Sequence, residues 1–193
     1  MLRFYEFFFP VVWIAFLVYW QIIWARTANR KTVQRLEPAA SRILRAFTFL
    51  IVIALFMVPR IPLRWLYFQL WAMGLWAFWI GAAVTVSGLL FAVWARLHLR
   101  SNWSRAVTIK QDHELITTGP YALVRHPIYT GILIGFLGSA IALSQVRGLV
   151  ALGLVFLVFW AKFHMEEKWM HSQFGEMYSD YSQKTAALVP FLF

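Results

Sequence analysis

The run Gly119-Pro120-Tyr121-Ala122-Leu123-Val124-Arg125-His126-Pro127-Ile128-Tyr129-Thr130-Gly131 places ionisable and turn-forming residues directly before a long apolar segment. A second polar cluster, Lys162 to Lys168 with Glu166 and Glu167, follows the next apolar stretch. Thr117-Thr118-Gly119-Pro120 reads as a turn. His126-Pro127 keeps the residue before proline out of helix and sets Pro127 in the first turn of the helix that follows. The unpaired backbone N–H groups of such a helix start can meet an adenine edge or a carboxylate. In the second cluster, Lys162 and Glu166 are four apart and share a helical face, as do Phe163 and Glu167. A surface ion pair has the same spacing, but carboxylates that begin where an apolar span ends can also point into a cavity, and ionisable groups at membrane depth are functional candidates.

Each of these residues also has a plainer reading. His126 fits an interfacial histidine satisfied by local hydrogen bonds as well as a ligand contact. Tyr121 and Tyr129 fit ordinary belt aromatics, and Arg125 fits an anchor to phosphate headgroups. Metal chemistry finds little support in His98, His113, His126, His164 and His171, because no H-E-x-x-H occurs. His164, Glu167 and His171 do share a helical stripe, which an amphipathic surface helix explains equally, and no metal is expected. Zero cysteines exclude disulfides, thiolate metal sites and a cysteine nucleophile. Neither G-x-G-x-x-G nor G-x-x-x-x-G-K-[ST] is present, so a standard dinucleotide fold and a P-loop are both unsupported.

The elements that must position these clusters are membrane helices. A chain of 193 residues that is 61% hydrophobic and 13% charged cannot hide its apolar surface in a water-soluble core. At about 20 apolar residues per span, five candidates emerge, near 7–25, 43–59, 70–95, 128–146 and 148–164. The first carries no basic leader or small-residue cleavage site and reads as a retained span. Arg60-Ile61-Pro62 makes a short turn after the second. In the third, Gly74, Gly81 and Gly88 and the run Gly81-Ala82-Ala83 allow close helix contact. Ser144-Gln145-Val146-Arg147-Gly148 closes a tight hairpin between the last two. Fourteen of the 18 Lys and Arg lie in loop 26–45, segment 96–125 and the tail, with Arg3, Arg60, Arg64 and Arg147 opposite. This asymmetry puts the N-terminus outside, the C-terminus inside and both polar clusters on the cytoplasmic face. The net charge of +10 then faces anionic headgroups, and nucleic acid is not an expected partner. Eleven Trp, among them Trp65, Trp71, Trp103 and Trp169 near span ends, suit the interface.

The expected architecture is therefore all-α: an integral membrane helical bundle of about five transmembrane helices in one domain, 1–193. Residues 1–95 are expected to be scaffold and 96–193 the working half, with a pocket on the cytoplasmic side.

Taken jointly, Asp112-His113-Glu114-Leu115-Ile116-Thr117-Thr118-Gly119-Pro120-Tyr121, then Arg125-His126-Pro127-Ile128-Tyr129-Thr130-Gly131, then Glu166-Glu167 with Phe174-Gly175-Glu176-Met177-Tyr178-Ser179-Asp180-Tyr181 and Val189-Pro190-Phe191 resemble the isoprenylcysteine carboxyl methyltransferase family. The likeness covers about residues 100–193; the first half resembles the family only in hydropathy. It implies a multi-pass membrane enzyme that uses S-adenosylmethionine, releases S-adenosylhomocysteine, and opens to the lipid for a prenyl chain. By motif position, His113, Glu114, Leu115, Ile116, Tyr121, His126, Pro127, Ile128 and Tyr129 would contact the cofactor. Glu166 would set its carboxylate against it, and the tail around Tyr178 and Tyr181 would act as a lid. Lys162 falls where isoprenylcysteine enzymes carry a substrate-binding arginine, so a point charge replaces a two-pronged clamp. Lys184-Thr185-Ala186 likewise stands where a basic-Val-Pro run is usual.

The foremost expectation is methyl transfer to a lipophilic acceptor, an isoprenylcysteine-like carboxylate, with Glu166 and Lys162 as the residues nearest the chemistry. A carboxylate is already ionised at neutral pH and needs no general base. Three rivals stand beside it. Phospholipid or amine N-methylation would need a base such as Glu167 or His126. An NADPH-dependent membrane reductase would want a pair of arginines, of which only Arg125 is evident. A non-enzymatic membrane subunit would bind a partner or anionic lipid. Oligomeric state is not legible.

Overall fold

The computed structural model describes residues 2–27, 32–35, 38–59, 61–99, 108–110 and 115–190. Among these, α1 (Leu2–Thr27), α2 (Ala39–Met57), α3 (Leu75–Leu99), α4 (Pro127–Leu143) and α5 (Val146–Phe174) are apolar helices, followed by the short polar α6 (Glu176–Lys184). α1, α2, α3 and α5 are long and apolar enough to cross a membrane; α4 is an apolar helix of 17 residues. The chain is an integral membrane protein. Alongside the helices, β1 (Thr32–Arg35) and β2 (Thr108–Lys110) pair antiparallel in a two-stranded ribbon, an addition to the all-α expectation. The ribbon ties the α1–α2 connection to the α3–α4 connection, which places both on the same end of the bundle as the C-terminal end of α5.

α3 and α4 pack closest, because glycines remove the side chains that would hold their backbones apart. A Cβ on Gly81 would come 2.5 Å from the carbonyl oxygen of Gly138, and one on Gly88 would come 2.6 Å from that of Gly131. Gly74, the third of the sequence-spaced glycines, lies just before α3 and takes no part. Between the helices, Thr85 donates to the carbonyl of Gly135 at 3.1 Å, and the Trp13 indole donates to Ser139 at 3.0 Å, which keeps these polar groups satisfied at membrane depth. α2 packs on α5 through Val52, Leu55, Ala151, Val155 and Phe159. α1 rests against α3 and turns Val11, Ile14, Val18 and Ile22 outward, as suits a lipid-facing helix.

The hairpin between α4 and α5 is tighter than expected. Ser144 takes the left-handed conformation at φ 57° to end α4, and α5 begins at Val146, so Arg147 and Gly148 lie within the helix rather than in a loop. Residue 70, expected to start the third span, instead belongs with 68 and 69 to a strap across this hairpin: Leu70 N–H donates to the carbonyl of Ser144 at 2.9 Å and Val146 N–H to that of Phe68 at 3.1 Å. Those backbone bonds hold the chain extended, so α3 starts only at Leu75. Arg147, which the charge count places simply outside, donates to the carbonyl of Val58 at 2.9 Å and to Gln145 at 2.7 Å, with Tyr67 4.8 Å below its guanidinium.

At 29 residues, α5 is about 43 Å long, against about 30 Å of hydrocarbon. Its last turns therefore extend past the apolar slab, and they carry Glu166 and Glu167.

Candidate active site

Pro127 opens α4 with its ring-fixed φ and no N–H to leave unsatisfied, so the polar run of the sequence ends abruptly at the helix start. Ahead of it, Gly119 to Ala122 form a 3-10 turn. Gly119 has φ +61°, and a Cβ there would come 2.8 Å from the His98 ring, so any other residue would meet both backbone strain and the imidazole. His98 lies 2.9 Å from the Thr118 hydroxyl and stacks on Tyr121, which fixes the turn to the end of α3.

The two polar clusters meet. His126 Nε2 is 3.2 Å from Glu167 Oε1, and His126 Nδ1 is 3.7 Å from Glu166 Oε2. Tyr129 donates its hydroxyl to Glu166 Oε1 at 2.7 Å. Lys162 Nζ lies 3.6 Å from that same oxygen, the one-turn pair that the spacing predicts, and 5.4 Å above the Tyr129 ring. Rings of Phe163 and Phe159 pack against His126 and Tyr129 at 5.1 and 4.7 Å.

Arg125 turns inward instead of anchoring to headgroups. Its Nε donates to Glu167 Oε1 at 2.8 Å, and its Nη1 donates to the carbonyls of Ser182, at 2.9 Å, and Thr185. The backbone continues the strap: the N–H groups of Arg125 and His126 donate to Ala186 and Ala187 at 2.8 and 3.0 Å, and Thr130 donates to the carbonyl of Leu188 at 2.6 Å. Tyr181 donates to the carbonyl of Tyr121 at 2.6 Å. The chain after α6 is thus laced to the entry of α4. Burial holds the phenols of Tyr121, Tyr178 and Tyr181 well above the ordinary tyrosine value, and the negative charge of Glu166 adds to this at Tyr121.

These groups open on one cavity of about 1670 Å³. Its wall includes Leu115, Ile116, Tyr121, His126, Pro127, Ile128, Tyr129, Lys162 and Glu166, all of them sequence candidates. His113 and Glu114 lie outside the described residues. Glu167 stands behind the wall, engaged by Arg125 and His126. Tyr178 and Tyr181 line the cavity from α6. The volume exceeds the roughly 300–1,000 Å³ of a pocket for one drug-sized ligand, leaving room for a nucleotide and an apolar chain together.

The sequence reading missed the share taken by the first half. Trp13 and Phe16 of α1, and Arg45, Phe49, Val52 and Phe56 of α2, line the same cavity. The signal was present in α2, where residues 45, 49, 52 and 56 recur on one face with a charge at the head of the stripe. His164 and His171, by contrast, turn to local partners, the carbonyl of Trp160 at 2.8 Å and the Ser179 hydroxyl at 3.3 Å. Among the described residues no three His, Asp or Glu side chains come together to hold a metal ion.

Comparison with known proteins bears on this half of the chain most. The sequence profile of a family described as phospholipid methyltransferase matches residues 76–177. A probable protein-S-isoprenylcysteine O-methyltransferase of Oryza sativa subsp. indica is 34% identical over 111 residues, 57% of this chain and 53% of that protein. A nickel-cobalt-cadmium resistance protein of Alcaligenes xylosoxydans xylosoxydans is 30% identical over 113 residues, 58% of this chain and 52% of that one. The chain spans about half the length of these curated relatives. Among solved structures, the eukaryotic intramembrane Ras methyltransferase, an isoprenylcysteine carboxyl methyltransferase, superposes with a TM-score of 0.56 at 25% identity over 83% of this chain and 55% of that one.

Proposed function

The chain belongs to the phospholipid methyltransferase family, and from that premise we propose that it moves a methyl group from S-adenosylmethionine to a lipophilic acceptor, foremost the carboxylate of an isoprenylcysteine-like substrate. One observation carries this reading: the Glu166 carboxylate, held by Tyr129 and Lys162, faces a cavity that continues into apolar walls at membrane depth.

The residues present fit the cofactor. Leu115, Ile116, Pro127 and Ile128 offer apolar surface to an adenine, Tyr121, His126 and Tyr129 offer rings and polar edges, and Glu166 offers a negative charge to a sulfonium. His113 and Glu114 are assigned to the same role by motif position. When bound, the cofactor supplies an electrophilic methyl group that an in-line nucleophile can take. The protein's part is alignment and exclusion of water. Glu166 orients the cationic end, Lys162 draws the acceptor's anion to the same place, and the laced tail with Tyr178 and Tyr181 serves as a lid. The acceptor carboxylate carries no proton at neutral pH, so no side chain has to remove one. The basic flanks of loop 26–45 and the tail support a cytoplasmic position for this end of the bundle, and residues 1–95 serve both as its membrane scaffold and, through α1 and α2, as part of the cavity wall.

The family description favours N-methylation of a phospholipid as the second reading. It would need a base on the cavity wall; His126 stands there, while Glu167 is occupied by Arg125 and His126. The reductase reading loses its arginine, because the Arg125 guanidinium is given to Glu167, Ser182 and Thr185.

Transfer of labelled methyl from S-adenosylmethionine into a prenylcysteine analogue and into a total lipid extract tests this function. A base-labile methyl ester on the prenylcysteine is expected; base-stable label in phospholipid would move the assignment to N-methylation. No transfer to either, with no thermal shift on adding S-adenosylhomocysteine, would favour a non-enzymatic membrane subunit.

A further inference from the structure

Tyr129 and Lys162 both address Oε1 of Glu166, which turns Oε2 toward the ring of His126. That ring stands on the cavity wall between two carboxylates, Glu166 on the cavity side and Glu167 behind. Its freedom to turn is small. The Tyr129 ring lies nearly parallel to it, at 13°, and Phe163 packs 5.1 Å away.

Which ring nitrogen carries the proton follows from Glu167. Arg125 donates to Glu167 Oε1 at 2.8 Å, and a carboxylate paired with a guanidinium is ionised and can only accept. His126 Nε2, 3.2 Å from the same oxygen, is therefore the donor of that contact. A second proton on the ring is disfavoured, because the two carboxylates beside it already face cations, Arg125 at Glu167 and Lys162 at Glu166. The ring is then neutral, and Nδ1 keeps a lone pair. Nδ1 and Glu166 Oε2, 3.7 Å apart, are two acceptors that cannot satisfy each other. An amino group, with more than one N–H, satisfies both.

We propose that Glu167 is a positioning residue: by accepting the hydrogen bond of His126 Nε2–H it leaves Nδ1 as an acceptor, and Nδ1 with Glu166 Oε2 receives an amino group of the cofactor. This rests on the methyltransferase reading and deepens it. S-adenosylmethionine carries two such groups, one on its purine and one on its amino acid end, and the experiment separates them. Glu167 itself touches neither the ligand nor the reacting atoms.

Long-range proton–nitrogen NMR spectra of nanodisc-embedded protein, labelled in its histidine rings and kept at neutral pH, read the proton directly, with His126→Gln assigning the signal. Wild type should show His126 neutral with its proton on Nε2. Glu167→Gln, whose amide can also donate to Nε2, should move a share of the proton to Nδ1, and Glu167→Asp, which keeps the carboxylate, should restore the wild-type form. A wild-type ring protonated on Nδ1, or on both nitrogens, overturns the proposal whether or not the variants fold. Affinities are then compared for S-adenosylhomocysteine, for S-inosylhomocysteine, which lacks the purine amine, and for the analogue of S-adenosylhomocysteine that lacks the α-amine. Wild type should bind at least one of the two analogues about tenfold more weakly, the loss of one hydrogen-bonded amino group. Glu167→Gln should remove that preference while leaving the weaker analogue's affinity unchanged, and the preference it removes identifies the amine. Equal affinity of all three ligands in wild type, or a loss in Glu167→Gln that all three share, overturns the proposal. Wild type that binds none of the three yet carries the proton on Nε2 keeps the positioning role of Glu167 and removes the methyltransferase reading.

Discussion

Arg125, on the loop before α4, and Glu167, on α5, meet as an ion pair with Nε 2.8 Å from Oε1 and both side chains largely buried. Because the same guanidinium also binds the carbonyls of Ser182 and Thr185, the pair fastens the C-terminal tail over the cavity. Arg125→Ala leaves Glu167 with only His126 and is expected to cost about 2–4 kcal/mol. Limited proteolysis should then cut after α5 while the helical bundle stays intact. Arg125→Lys should fall between, keeping a charge but not the fork. A wild-type melting curve and digestion pattern in Arg125→Ala would show that the tail is held by something else.

Lys162 is placed to draw the acceptor rather than the cofactor. Lys162→Ala is expected to raise KM for an anionic acceptor about tenfold, the loss of one hydrogen bond to a charged group, with the affinity for S-adenosylhomocysteine unchanged. Lys162→Arg should keep or lower KM, since a guanidinium can meet a carboxylate with two hydrogen bonds. Equal KM in wild type and Lys162→Ala would remove Lys162 from the acceptor site.

Close approach of α3 and α4 depends on missing side chains. A Cβ on Gly138 would fall 2.5 Å from the carbonyl oxygen of Gly81, whereas one on Gly153 of α5 would meet nothing within 4 Å. Gly138→Ala should therefore destabilise by about 1–3 kcal/mol through forced separation of the helices. Gly153→Ala should be neutral, or stabilising by up to about 1 kcal/mol through helix propensity. Melting of the two variants in the same detergent compares them directly, and identical midpoints would contradict the packing account.

Tyr121, Tyr178 and Tyr181 have phenols raised above the ordinary 10.0 by burial. A folded value above the unfolded one means that the folded state keeps a proton the unfolded state releases. This stability is fully present below about pH 10 and is lost as pH rises toward the folded values. Absorbance titration of tyrosinate should show these three ionising only with unfolding. Titration of these three near the ordinary value in folded protein would contradict their burial.

Much of the bundle is legible in the sequence because apolar length alone marks a membrane helix, and Pro127 and the basic flanks mark where helices begin and which end is polar. The candidate residues on α4 and α5 are legible for a related reason: Lys162 and Glu166 are one turn apart, and His126 is pinned by the proline after it. What short-range pattern does not hold is contact across the fold. Arg125 has the same spacing whether it reaches lipid or the carbonyls of Ser182 and Thr185, and only the fold-back of the tail decides. Arg45 looks like a topological charge until α2 is set beside α5. The hairpin at Ser144 is shorter than its polar letters suggest, because the 68–70 segment satisfies its backbone and lets Arg147 enter the helix.

The central claim is that the His126 loop and the Glu166 end of α5 enclose one site for a sulfonium-bearing nucleotide. Calorimetric binding of S-adenosylmethionine and S-adenosylhomocysteine to wild type, Glu166→Gln and Glu166→Ala tests it most directly. Wild type should bind both ligands. Glu166→Gln should weaken S-adenosylmethionine at least about tenfold, or about 1.4 kcal/mol, and S-adenosylhomocysteine less, because only the former carries the sulfonium charge. Glu166→Ala should lose binding of both. Wild-type affinity for S-adenosylmethionine in Glu166→Ala, or no binding of either ligand to wild type, would contradict the account.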